Sequence, residues 1–108
     1  MGTNIYKIET DNLADFAAYR GTDKIVVFYK PECAFCAAEI EALRKQAKEQ
    51  EGSIGYAICD VSGKMEFCRE NGITALPTIC LYAGGELVRR YESYTQPETL
   101  IKALHSEE

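Results

Sequence analysis

The 108-residue chain predicts an α/β fold, a mixed, mainly parallel central β-sheet with helices on both faces and a terminal β-hairpin. Three observations predict it. Strand-type and helix-type segments alternate along most of the chain. Ile25-Val26-Val27-Phe28-Tyr29 is a continuous β-branched and aromatic run, which suits a central strand buried on both faces. Gly84-Gly85 stands between two further strand-type runs and reads as a tight hairpin turn.

The elements follow in order. Asn4 to Glu9 alternates apolar and polar residues, as a short strand does. Asp11 or Asn12 can cap a helix carrying Leu13, Phe16 and Ala17, with Gly21 as its stop. Lys24 to Tyr29 is the central strand, and Pro31, which has no N–H to give a sheet ladder, ends it. From about Cys33 to Glu51 strong helix formers dominate, with Ile40, Leu43 and Ala47 on one face and Gly52 closing the helix. Ile54 to Cys59 is the next buried strand. Asp60 to Gly63 turns, and Lys64 to Glu70 is a short helix ended by Asn71-Gly72. Thr78 to Tyr82 and Glu86 to Tyr91 form the hairpin. Pro97 sits in the first turn of a last helix whose core contacts are Leu100, Ile101 and Leu104. No linker or repeat divides the chain, so residues 1–108 are expected to form one domain.

Composition narrows the function. The net charge is −5, which argues against nucleic acid as a partner. Arg89-Arg90 is an adjacent basic pair, and a solvated strand end accounts for it. No apolar run approaches the ~20 residues of a membrane span, so no membrane partner is expected. The first residues lack a signal-peptide pattern, which points to the cytoplasm; a trimmed exported chain would read the same. Five cysteines cannot all pair within one chain, unlike the even count of a small secreted scaffold.

The chemistry-bearing motif is Cys33-Ala34-Phe35-Cys36, placed after a buried strand and at the start of a helix. The N–H groups of a helix's first turn lack intrahelical partners and carry partial positive charge, so they favour an anion. A Cys33 thiolate placed there is stabilised, and the thiolate is the species that attacks a disulfide. Cys36, one turn on, is within disulfide reach and is expected to resolve the mixed disulfide. Two other readings stand beside this one. The pair could be ordinary core cysteines, or half of a zinc or iron–sulfur site. The remaining candidates, Cys59, Cys68, Cys80 and His105, are scattered and do not supply the usual ligand pattern. Neither a metal nor a cofactor is expected.

The segment Val26-Val27-Phe28-Tyr29-Lys30-Pro31-Glu32-Cys33-Ala34-Phe35-Cys36 resembles the active-site stretch of the thioredoxin superfamily, and its Phe28-Tyr29-x-Pro31-x-Cys33 portion is close to the form in protein disulfide isomerase domains. Ala75-Leu76-Pro77-Thr78 resembles the family's apolar-Pro-Thr loop, 44 positions after Cys33, and Gly84-Gly85-Glu86 its hairpin turn. The likeness covers about Ile5 to Leu104. It implies the thioredoxin fold and a thiol–disulfide oxidoreductase, with Cys33 as nucleophile and Cys36 as resolving thiol. Protein or peptide disulfides are the implied substrates, with an unidentified electron donor or acceptor, and a monomer is expected. It also implies that Pro77 is cis and faces the cysteines, against the alternative of a trans proline opening an edge strand. Leu76 can then present its backbone to an extended substrate. Phe35 and Leu76 would form an apolar rim for that substrate; simple packing of Phe35 is the alternative.

The chain departs from the family pattern in several places. The buried Asp common in the strand before the cysteines is Val27, and the Lys often across from it is matched to Tyr56. That removes the usual proton acceptor for the resolving thiol. The residue before Cys33 is Glu32, whose carboxylate raises a neighbouring thiol's pKa while the helix terminus lowers it. The net direction, and with it the choice between reductant and oxidant, stays open. These departures motivate a second function, a redox-silent binding module using the groove near Pro77. Cys59 and Cys80 are expected in the core, and Cys68 on a surface helix as a candidate second thiol.

Overall fold

The computed structural model describes residues 5–49 and 54–106. Asn4, Glu51 and Gly52, named above as element ends, lie outside them. The elements are β1 (Ile5–Ile8), a single 3-10 turn (Thr10–Asn12), α1 (Leu13–Ala18), β2 (Asp23–Tyr29), α2 (Ala34–Glu49) and β3 (Ile54–Asp60), followed by α3 (Met65–Glu70), β4 (Thr78–Ala83), β5 (Glu86–Tyr91) and α4 (Pro97–Ser106). Helix α1 is shorter than expected. Asn12 spends its side chain on the Glu9 N–H, 3.0 Å away, which closes the 3-10 turn, and Tyr19 turns extended before Gly21 is reached.

The five strands form one mixed sheet in the order β1-β3-β2-β4-β5. β1 and β2 both run parallel to β3; β4 runs antiparallel to β2 and β5 to β4. β2 therefore sits in the middle, and residues 24 to 28 are all buried, as the apolar run predicts. Alternation sorts its side chains onto two faces. Ile25 and Val27 join Tyr56, Ile58, Ile79 and Leu81 beneath α2 and α4. Val26 and Phe28 join Ala57, Cys59 and Cys80 on the opposite face, where Leu13, Phe16, Phe67 and Cys68 from α1 and α3 cover them. Cys59 and Cys80 are thus core residues, and both are free thiols.

The strand register sets the neighbours of Val27. Val27 pairs with Ile58, and Tyr56 pairs with Ile25. The residue opposite Val27 is therefore Ile58, two positions on from Tyr56. Both members of this central pair are aliphatic.

Gly84 and Gly85 both take positive φ, at 63° and 84°, the geometry of a two-residue hairpin turn matched to strand twist. A Cβ on Gly85 would meet the Ala18 carbonyl oxygen at 2.9 Å, so the hairpin tip also needs a glycine to approach the end of α1. Arg90 does more than solvate a strand end. Its guanidinium donates to the carbonyls of Asn71 (2.8 Å) and Gly72 (2.7 Å), satisfying acceptors just beyond the C-terminus of α3.

Candidate active site

β2 ends at Tyr29, and Lys30 to Glu32 turn the chain into α2. The Cys33 N–H donates to the Lys30 carbonyl at 3.1 Å, and the Cys33 carbonyl accepts from Ala37 N–H at 3.1 Å, so Cys33 occupies the position that caps the helix. Its sulfur accepts the otherwise orphan N–H of Cys36 at 3.1 Å. This is the contact expected of a sulfur held at a helix's positive end. Cys33 is half-buried, whereas Cys36 has no exposed surface. The two are joined as a disulfide, with their Cα atoms 5.2 Å apart.

The Leu76–Pro77 peptide is cis. Thr78 Oγ1 donates to the Ala75 carbonyl at 2.6 Å and so ties the Pro77 loop to the start of β4. Pairing of β4 with β2, Thr78 opposite Phe28, sets this loop beside the strand that leads into the cysteines. Pro77 is buried and Leu76 half-buried, and Leu76 packs against the core on the α1/α3 side. Phe35 is 69% exposed, so it does not pack into the core. Leu76 also lines a groove of about 570 Å³ with Met65, Cys68, Ile73, Lys30 and Arg69. The groove floor is apolar, and Lys30 and Arg69 bring positive charge to it. Cys68 is half-buried within it.

The expected residues thus fall into two groups. Cys33, Phe35 and Cys36 share the opening of α2, and Leu76 and Pro77 form the adjoining loop. Cys59, Cys80 and His105 lie elsewhere. Among the described residues, no three His, Cys, Asp or Glu side chains are grouped as metal ligands.

One residue of this region escaped the sequence reading. Glu39 falls within the helix-forming run from Cys33 to Glu51 but outside the face assigned to Ile40, Leu43 and Ala47, yet it is fully buried. The buried residues of α2 are Cys36, Glu39, Leu43 and Ala47, while Ile40 is only half-buried. These positions step by three and four, so Glu39 belongs to the stripe that faces the sheet and α4. The signal was available, since Glu39 lies three residues after Cys36 and four before Leu43. Its Oε1 accepts the Thr95 N–H at 2.7 Å; its Oε2 is buried without a partner. Burial pushes its carboxyl up to about 7, only partly opposed by the Thr95 hydrogen bond.

A strand, then two cysteines at a helix opening, then a buried proline loop beside them define a class, the dithiol–disulfide proteins built on a five-stranded α/β sheet. The chain belongs to the thioredoxin family, whose model matches residues 4–106. A bifunctional thioredoxin reductase/thioredoxin of Mycobacterium leprae is 31% identical over 99 residues, covering 90% of this chain. The chain spans only 22% of that relative's length. Among solved structures, chloroplastic thioredoxin z superposes with a TM-score of 0.84 at 23% identity, covering 98% of this chain and 96% of that one. Oxidised mitochondrial thioredoxin 3 of Saccharomyces cerevisiae superposes with a TM-score of 0.77 at 21% identity, covering 94% of each. These two likenesses establish the thioredoxin fold. Family membership together with the Cys-x-x-Cys pair supports thiol–disulfide oxidoreductase chemistry in general terms.

Proposed function

We propose that the chain exchanges its Cys33–Cys36 dithiol with protein or peptide disulfides, with Cys33 as nucleophile and Cys36 as resolving thiol. The observation that carries this reading is the unequal placement of the two sulfurs. Cys33 is reached from outside and is held by the Cys36 N–H, while Cys36 is sealed behind it. An incoming disulfide therefore meets Cys33 first. Cys33 thiolate attacks one substrate sulfur, the substrate S–S bond breaks, and a substrate thiolate leaves. Cys36 thiolate then attacks Cys33 Sγ, the mixed disulfide breaks, and the second substrate thiolate leaves. Two electrons pass to the substrate, and the chain is left as the Cys33–Cys36 disulfide.

In this reading Leu76, Pro77 and Phe35 receive the substrate, with the Leu76 groove holding a neighbouring stretch of its chain. A reductase of the type joined to the thioredoxin of the mycobacterial relative is the class of electron donor that fits. The protein acts as a monomer in the cytoplasm, where thiols such as Cys59, Cys68 and Cys80 stay reduced.

The test is a covalent trap. Wild-type protein supplied with dithiothreitol should reduce insulin, and Cys33→Ser should fall to the uncatalysed background. Cys36→Ser should accumulate mixed disulfides that release under reductant. No turnover by the wild type, or trapping that survives loss of Cys33, would refute the assignment.

A further inference from the structure

We infer that Glu39 takes the proton of the Cys36 thiol and so readies the resolving cysteine, a role built on the proposed exchange reaction. The need for such a group comes from the sheet. The central pair beneath the site is Val27 opposite Ile58, and neither side chain can accept a proton. Cys36 has no exposed surface, so bulk water does not reach its sulfur to take the proton.

Glu39 is placed to do so. Positions three apart on a helix are neighbours, with Cβ atoms about 5–6 Å apart. Helical side chains lean toward the helix N-terminus, so Glu39 leans back over the turn that carries Cys36. Glu39 is itself 0% exposed, in a stripe otherwise made of Cys36, Leu43 and Ala47. One carboxylate oxygen is committed to the Thr95 N–H, and the other, Oε2, is unpartnered. Leaving a buried acceptor unpaired costs about 1–3 kcal/mol, so a purely structural clamp for Thr95 would be better made by an amide or hydroxyl whose other groups are satisfied. A buried, unpaired carboxylate oxygen three residues from Cys36 on the same stripe is what a proton acceptor requires.

The other buried members of the stripe, Cys36, Leu43 and Ala47, carry no fixed charge. Elements packed on α2 present Tyr29 from β2, Tyr56 from β3 and the apolar side of α4. Burial raises the pKa of both phenols and keeps them neutral. Tyr91 of β5 lies at the edge of the same cluster, and Glu98 and Lys102 of α4 are exposed. Glu39 thus titrates near 7 by desolvation, which lets one carboxyl both take and return a proton in neutral solution. The step balances. Cys36–SH and the Glu39 carboxylate become Cys36 thiolate and the protonated acid. The thiolate forms the Cys33–Cys36 bond, and the acid returns its proton to the departing substrate thiolate or to water.

The experiment separates the two attacks. Reduced protein in a Cys68→Ser background, which removes the half-buried third thiol, is mixed in stopped flow with one equivalent of a chromogenic aryl disulfide. The first aryl thiolate released reports attack by Cys33, and the second reports attack by Cys36. In Glu39→Gln, which keeps an acceptor for Thr95, the second release should slow on the order of 10²-fold at pH 8, the lower range of general-base catalysis. Its rise through pH 7 should vanish, and the first release should stay within about twofold of wild type, since no proton is taken from Cys36 in that step. Glu39→Leu, which fills the stripe with an apolar chain, should show the same loss. A second release that keeps its rate and its pH rise in both variants, or first and second releases slowed alike, overturns the role of Glu39 and leaves the Cys33 chemistry standing. Absence of the first release from wild-type protein overturns the exchange reaction itself, and the role of Glu39 with it.

Discussion

The two faces of the sheet each bury weakly acidic side chains, and burial raises the pKa of these acids on both faces with opposite consequences. On the α1/α3 face Cys59 and Cys80 are buried among Val26, Phe28 and Ala57, and desolvation pushes both thiols up to about 11. At neutral pH they were uncharged already and become more firmly so. On the α2/α4 face desolvation pushes the Glu39 carboxyl up to about 7. That group starts low in the acid range, so the same penalty carries it into the working range of a cell. Whether burial silences a group or makes it useful depends on where its unperturbed pKa lies. The buried thiols of one face are therefore quiet, and the other face holds Cys36 and a titrating acid on a single helix.

The contrast is sharpened first by alkylation, where the largest effect is expected. A thiol moved from 9 to about 11 holds roughly a hundredfold less thiolate at pH 8. In the reduced native protein Cys59 and Cys80 should therefore react with iodoacetamide at least about a hundredfold more slowly than in urea, while Cys33 reacts in the native state. Mass mapping of the labelled peptides checks this. Native labelling of Cys59 or Cys80 at the unfolded rate would show that this face is open and break the contrast.

Next comes the dependence of stability on pH. The Glu39 carboxyl is raised from 4.5 to about 7, so the folded state holds its proton more tightly than the unfolded chain does. Its contribution to stability is full below about pH 4.5 and declines as pH rises through 7, after which it is flat. The ceiling on this loss is about 3 kcal/mol. Urea denaturation of wild type and Glu39→Gln at pH 5 and pH 8 should show the wild type losing stability relative to the variant by up to that amount. Parallel curves would mean that Glu39 is ionised throughout, as on an ordinary surface.

The smallest effect is expected from Cys80→Ser. The substitution places a hydroxyl among apolar groups on the quiet face and should cost about 1–3 kcal/mol in denaturant midpoint analysis. Insulin reduction per folded molecule should be unchanged, because the reacting sulfurs lie across the sheet. A loss of turnover without a loss of stability would show that the two faces are coupled.

Much of the fold was legible in the chain because local preference and tertiary placement agree. The run from Ile25 to Tyr29 could be buried on both sides only in mid-sheet, and β2 is there. Gly84-Gly85 needed positive φ twice, and the hairpin turn supplies it. The expected end of α1 at Gly21 failed because Asn12 and Tyr19 made their own local geometry first. The cysteine pair was legible from its place between a strand and a helix, and the Pro77 loop from its resemblance to the family's apolar-Pro-Thr loop.

Sequence alone determined the α/β alternation, the Cys33–Cys36 pair at a helix opening and the loss of the usual central charge, because each follows from residue type and from neighbours a few positions away. Only the tertiary structure decided that Val27 faces Ile58, a matter of register between strands about thirty residues apart. It also decided that Glu39 is in the interior. A glutamate at that position is soluble on an isolated helix; the sheet, α4 and the Thr95 loop together exclude water from it. Desolvation is a property of everything packed around a group, and no stretch of chain near Glu39 contains it.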